Sequence, residues 1–233
     1  MQSKLLNKDE LAWSPVVANN SMNRERNAFG INSYEKDIHL NPVDFLLNLK
    51  EQKNVRWLDL CCGKGNALIQ AAQFLEEKKL SNKYELEGID LVDFFTHAPG
   101  FSNLILSVQN LENWTPEKEY DLITIVHGLH YVGDKIGLVL KAIEALKTNG
   151  HFIGNLDLSN ILVQNIKQRK RATMKFFNEN NIEINLRKKL IYSTGKKTIK
   201  SKFAYLGADD KAGPNYTGQE VVNSYYRFTG SEK

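Results

Sequence analysis

The stretch VRWLDLCCGKGNALIQAAQFL, residues 55–75, constrains the fold more than any other part of the chain. An apolar run ending in an acid is followed by two small residues, then by two glycines, and then by a helical pattern. That order predicts a buried strand, a glycine loop and a helix, the unit from which parallel sheets are built. A glycine loop in this place lets a ligand come close to backbone N–H groups, and the start of the helix favours anionic groups.

The same alternation recurs from Asn41 to Asp157. Strands are predicted at VRWLDL (55–60), YELEGID (84–90), LILSV (104–108), YDLITIV (120–126) and HFIGNLDL (151–158). Helices are predicted at NPVDFLLNLKEQ, NALIQAAQFLEEKKL and DKIGLVLKAIEALKTN, the last with Leu138, Val139, Ala142, Ile143 and Leu146 on one stripe. Asn149 or Gly150 is the expected C-terminal stop of that helix. The C-terminal third reads as one helix, NILVQNIKQRKRATMKFFNENN, and then a hairpin turning near Thr194 and Gly195. The loop GADDKAGPNYTGQ and a short VVNSYYRF tail follow.

At 233 residues the chain is long enough for one substantial core and short for two. Its two cysteines, Cys61 and Cys62, are adjacent and poorly placed for a disulfide with each other, which favours a reducing compartment. No run of about 18 apolar residues appears and the first residues are charged, so a cytoplasmic protein that crosses no membrane is expected. Between Ile161 and Phe203 twelve Lys or Arg stand against two Glu, which predicts a positive face. The segment ANNSMNRERNAFGINSYEK (18–36) is dense in Asn and Arg, and reads as a disordered leader or a polar lid rather than a core element.

What the loop holds is narrowed by elimination. The dinucleotide fingerprint needs glycine where Leu68 stands, and a phosphate-binding P-loop needs Lys-Ser or Lys-Thr where Asn66-Ala67 stand. Asp59, at the strand end, would repel a pyrophosphate and favour an ammonium or sulfonium. No set of His, Cys or carboxylates has metal-ligand spacing, so no metal is expected.

LDLCCGKG resembles the first motif of the class I S-adenosylmethionine-dependent methyltransferases, with Cys61 where that family usually has glycine. The resemblance continues in register to Asp157. Asp90 corresponds to the acid that binds the ribose hydroxyls, with Leu91 against the adenine; Asn110 matches the position that contacts the adenine amino group, with Leu111 offering a backbone N–H. YDLITIVHGLHYV resembles the fourth motif and places His127 toward the methionine part of the cofactor, while ALKTNGHFI resembles the turn that opens the fifth strand. The resemblance implies a Rossmann-like, doubly wound, mostly parallel seven-stranded sheet with an antiparallel C-terminal hairpin. It divides the chain into a lid or substrate segment (1–40) and a methyltransferase domain (41–233). It further implies S-adenosylmethionine as cofactor and S-adenosylhomocysteine as product, held by Asp59, Cys61, Gly63, Gly65, Asn66, Asp90, Leu91, Asn110, Leu111 and His127.

For the acceptor the sequence offers His130 and Tyr131 as catalytic candidates. His130 reads as a general base, an orienting contact or a packing residue at the start of a helix. Tyr34, Arg24 and Arg26 are candidate substrate contacts, the arginines suiting a carboxylate or phosphate. A small-molecule acceptor methylated at oxygen is expected first, then a peptide, for example at a carboxylate. RNA held by the positive face comes after these, and a non-catalytic cofactor-binding scaffold last.

Overall fold

The computed structural model describes residues 5–18, 25–49, 52–98 and 100–230. In chain order its elements are α1 (Lys8–Ala12), α2 (Tyr34–Ile38), α3 (Pro42–Asn48), β1 (Val55–Leu60), α4 (Asn66–Glu77), β2 (Tyr84–Asp90), β3 (Leu104–Val108), β4 (Tyr120–Ile125), α5 (Lys135–Glu144), β5 (Leu146–Asn155), β6 (Ile161–Gln164), α6 (Arg169–Glu179), β7 (Ile182–Asn185), β8 (Leu190–Thr194), β9 (Phe203–Asp209) and β10 (Asn223–Phe228). Seven strands form one sheet in the order β3-β2-β1-β4-β5-β8-β7. Its first five are parallel, β8 runs antiparallel to β5, and β7 antiparallel to β8.

Strand β1 is apolar on both faces because both faces are covered: Trp57, Leu58 and Leu60 are all buried. On one side Trp57 packs with Ala67, Leu68, Ala71, Ala72 and Leu75, the inner stripe of α4. On the other, Leu58 and Leu60 meet Ile136, Val139 and Ile143 of α5. Asp134 caps α5 by accepting from the Gly137 N–H. The order of strands reverses direction between β1 and β4, and a crevice opens there at the strands' C-terminal ends.

The parallel half agrees closely with the sequence reading, and the C-terminal third does not. Helix α5 stops at Glu144, and the segment expected to end it, Thr148 to Gly150, already lies in β5, beside the backbone of Tyr120. ILVQ, read as the start of a helix, is instead β6. Its apolar residues suit either state, and Asn165, with φ 65, turns the chain before α6 begins at Arg169. The hairpin is formed by β7 and β8, with its turn across residues 186–189, where Lys188 N–H bonds to Asn185 and Lys189 has φ 54. The stretch at Thr194 and Gly195 is only the exit of β8. The strand after it, β9, leaves for a second, three-stranded sheet, β6-β10-β9, in which the expected tail VVNSYYRF supplies the central strand.

That small sheet is anchored by a lysine. Lys135 is fully buried, its ammonium donating to the carbonyls of Val132 and Val222 and to Ser224 Oγ, and burial lowers its pKa to about 7. The N-terminal segment is also more deeply built in than its composition suggests. Leu6 N–H donates to the Ala208 carbonyl at the edge of β9, and Ala28, Tyr34 and Ile38 are core residues. Among the described residues no helix is long and apolar enough to cross a membrane.

Candidate functional site

A cavity of about 240 Å³ lies over the C-terminal ends of β1, β2 and β4. Its floor is the loop after β1. Gly63 (φ 60) and Gly65 (φ 76) both take left-handed backbone, which glycine adopts without strain. Cys61 is left-handed too, at φ 56. Room for its side chain is provided opposite, where a Cβ on Gly128 would stand 2.4 Å from the Cys61 Cβ. The glycine missing at 61 is thus matched by one present at 128.

Asp90, at the end of β2, borders the cavity and ties the loop down: its Oδ2 accepts from the Gly63 N–H at 2.8 Å. Leu91, Asn110 and Leu111 continue the wall. Asn110 Oδ1 accepts from Glu112 N–H at 3.0 Å, closing a turn. The side-chain amide of Asn110 keeps its N–H donors and a second lone pair on its oxygen for a ligand.

Asp59 is placed differently from its sequence reading. It is wholly buried and does not border the cavity; its two oxygens accept from Tyr34 Oη and Thr124 Oγ1, each at 2.6 Å. Thr124 in turn accepts from Trp57 Nε1 at 2.8 Å. Burial raises the Asp59 pKa to about 7, against these hydrogen bonds, which lower it. Asp59 is therefore a buried support under the loop, not a charge presented to a sulfonium. Tyr34 borders the cavity with its hydroxyl directed to Asp59. Gly65 and Asn66 shape the start of α4 without lining the cavity, Asn66 accepting from Thr96 Oγ1 at 2.6 Å.

The opposite end is assembled from distant segments. His127, just past β4, has φ 59 and is held by a hydrogen bond from its N–H to Asn155 Oδ1 at 3.0 Å. Its Nε2 lies 3.2 Å from Asp37 Oδ2 of α2, an ion-pair contact off the line of a hydrogen bond; neither ring nitrogen has a hydrogen-bond partner. Arg26 lines the cavity but is already ion-paired with Asp37, so it is not the free anion receptor expected. Burial pushes the Asp37 carboxyl up, and His127 and Arg26 outweigh it, holding the pKa below its ordinary value. Arg24 lies outside the described residues.

His130 is buried, absent from the cavity wall, and pushed by burial to a pKa of about 3. The ordinary histidine value assumed for a general base does not apply, and packing is its place: its ring stacks near His127 and lies 3.4 Å from Tyr216 Oη. Tyr131 does border the cavity. Residues missed in the sequence complete the wall: Leu11, Ala12 and Val17 at the N-terminus, Thr217 and Gln219 from the loop after β9, and Asp37 behind His127. Only the polar character of that loop hinted at a role. Among the described residues no three His, Cys, Asp or Glu side chains are placed to hold a metal ion.

A carboxylate, two leucines and a glycine loop in a largely apolar cavity with a few polar groups fit a nucleoside bearing an amino-acid group. The family profile described as "Methyltransferase domain" matches residues 32–188, more than half of the chain. The chain belongs to the class I S-adenosylmethionine-dependent methyltransferase family. Among solved structures it is similar to the plantazolicin methyltransferase BpumL in complex with a monoazolic desmethylPZN analog and SAH, at 20% identity over 51% of this chain and 45% of that one, TM-score 0.40. It is similar also to the citrinin polyketide synthase CMeT domain (16%, 50% and 34%, TM-score 0.42) and to DhpI in its SAH complex (15%, 67% and 85%, TM-score 0.40). The chain thus spans less than half the length of the first and about a third of the second. No curated protein matches it significantly in sequence.

Proposed function

We propose that this protein transfers the methyl group of S-adenosylmethionine to oxygen on a small-molecule or peptide acceptor, in the cavity between the glycine loop and His127. The supporting observation is the meeting, in one cavity, of Asp90 and two leucines at one end with His127, whose ring nitrogens make no hydrogen bond, at the other.

Asp90 accepts from the ribose hydroxyls, Leu91 and Leu111 flank the adenine, and Asn110 donates to the ring. The backbone of Cys61 and Gly63 lies against the amino-acid part, with Gly65 and Asn66 holding the loop in shape. S-adenosylmethionine brings an already activated methyl group, so the chain's own work is to align, to exclude water and to move a proton where one must leave. The apolar residues Leu11, Val17, Val126 and Val132 dry the cavity, and Leu11, Ala12, Val17 and Arg26 of the N-terminal segment act as a lid over domain 41–233. Tyr34 and Tyr131 bound the acceptor space. RNA is less well supported: Lys175 and Lys202 both contact Glu179, Lys189 contacts Asp157 and Lys196 contacts Glu119, so part of the positive excess is locally neutralised.

Calorimetry with S-adenosylmethionine, S-adenosylhomocysteine and NAD at one salt concentration tests this. Micromolar binding of the first two and none of NAD is expected. Binding of NAD alone would require abandoning the reading.

A further inference from the structure

Strand β7 ends the seven-stranded sheet, and among the described residues it pairs only with β8, which leaves its outer backbone edge open. A groove follows that edge. Its apolar lining comes from both faces of the sheet: Met174 of α6 and Ile184 belong to one side, Leu190 and Tyr192 to the other. Leu186, just past the strand, also lines it and is 46% exposed. The rim is basic. Lys170 and Arg171 precede Met174 by one helical turn and so stand beside it, and Arg187 and Lys188 follow Leu186 in the hairpin turn. All four are exposed, and the ion pairs of this region use Lys175, Lys189, Lys196 and Lys202 instead. Glu183 is the one acid in the described lining.

We propose that this groove docks an extended peptide, acidic and carrying apolar side chains, which adds to the sheet as a strand beside β7. Only the role of the docked chain, as carrier of the acceptor group, rests on the methyltransferase reading above. The peptide backbone bonds to the open edge, its apolar side chains meet Met174, Ile184 and Leu186, and its carboxylates meet the four rim cations. An RNA chain would find the cations but make no use of a strand edge. Its bases would have one aromatic ring in the lining to stack on, Tyr192, whose hydroxyl is bonded to His151. The Leu186 end of the groove lies at the cavity end of the sheet. His127 N–H is bonded to Asn155, the next residue, Leu156, donates its N–H to the Lys189 carbonyl at 2.8 Å, and Lys189 Nζ lies 3.0 Å from Asp157 Oδ2. From β4 through β5 and β8 to β7 the sheet covers three strand spacings. That is about 14 Å, which four or five extended residues span. A peptide held at β7 therefore reaches the cavity with a residue at least that far along its chain.

Fluorescence anisotropy on the full chain tests this, with a fluorescein-labelled octapeptide alternating Glu and Val as the probe. Saturable binding is expected, weaker by about tenfold or more in Arg187→Glu/Lys188→Glu and by about fivefold or more in Leu186→Asp. Lys53→Glu/Lys78→Glu, which reverses two exposed cations at the other end of the strands, should bind the probe as wild type does. Of two further peptides, N-methylated at every Val or at every Glu, at least one should bind about fivefold or more weaker, because it has lost the donors that face β7. Full retention by both overturns strand addition. Absence of probe binding, or equal binding by wild type and both groove variants, overturns the site. A twelve-nucleotide oligouridine that binds more tightly than the probe, and is lost in the same variants, would assign the rim to nucleic acid and overturn the peptide. Affinity for S-adenosylhomocysteine, measured in parallel, should stay within about twofold in every variant, since none touches the cavity. Failure of wild type to bind S-adenosylhomocysteine would defeat the methyltransferase reading, while the docking result stands apart from it.

Discussion

At the glycine-loop end the cavity wall comes from the loop after β1, the end of β2 and the segment after β3, and its strength lies in backbone geometry and fully buried hydrogen bonds: Gly63 N–H to Asp90, and, beneath the loop, the chain from Trp57 through Thr124 and Asp59 to Tyr34. At the His127 end the wall is gathered from residues 11, 26, 127, 131 and 217, with Asp37 behind them, and ion pairs and loop contacts hold it. The first arrangement suits a ligand that never varies. The second can be changed by altering a terminus or a loop without disturbing the sheet, which is how one fold serves many acceptors.

The largest effect that distinguishes the two ends is expected from Asp90→Ala. Loss of an ionised acceptor should weaken S-adenosylhomocysteine binding about a hundredfold, roughly 3 kcal/mol, by calorimetry. Tyr216→Phe at the other end should leave that affinity within about twofold. Similar losses in both variants would erase the distinction.

Next comes the contact between the ends, Cys61 against Gly128. Gly128→Ala should destabilise the fold by about 2–3 kcal/mol in urea titration, since its methyl group has no room. Adding Cys61→Gly should restore at least half of the loss. A tolerated Gly128→Ala would show that the loop shifts more freely than its packing implies.

Stability against pH should also differ by end. Asp59 has its folded pKa raised to about 7, so the stability it gives is complete below the unfolded value near 4 and is lost as pH rises through 7. His130 is depressed to about 3, so its contribution is complete above about 6.5 and is lost as pH falls toward 3. Between pH 4 and 6.5 the two slopes oppose each other. Asp59→Asn should therefore leave stability rising with pH in that window, and His130→Gln should leave it falling. Parallel curves for the two variants would contradict the burial argument. The smallest effect, about 1–2 kcal/mol, is expected from Tyr34→Phe, which removes one donor from Asp59 while keeping the ring packed; an unchanged melting temperature would show that the hydroxyl contributes nothing.

The same division explains what the sequence could reveal. The loop, β1, β2, Asp90 and the parallel order were legible because each is a local pattern whose residues meet within one strand–loop–helix unit. Asp59 was found, yet given the wrong surroundings, because Tyr34 and Thr124 come to it from far along the chain. The Asp37–His127 contact could not be read at all, as nothing in SYEKD marks which acid will face β4. The second sheet was missed for a related reason: ILVQ and VVNSYYRF become strands by pairing with each other across more than half of the C-terminal region, and short apolar runs carry no record of such partners.

The most direct measurement is a crystal structure of the protein grown with S-adenosylhomocysteine. Ribose hydroxyls on Asp90, adenine between Leu91 and Leu111, and the sulfur end directed to His127 are expected. Ligand density at any other place, or a ligand turned so that adenine meets His127, would contradict the assignment of the two ends.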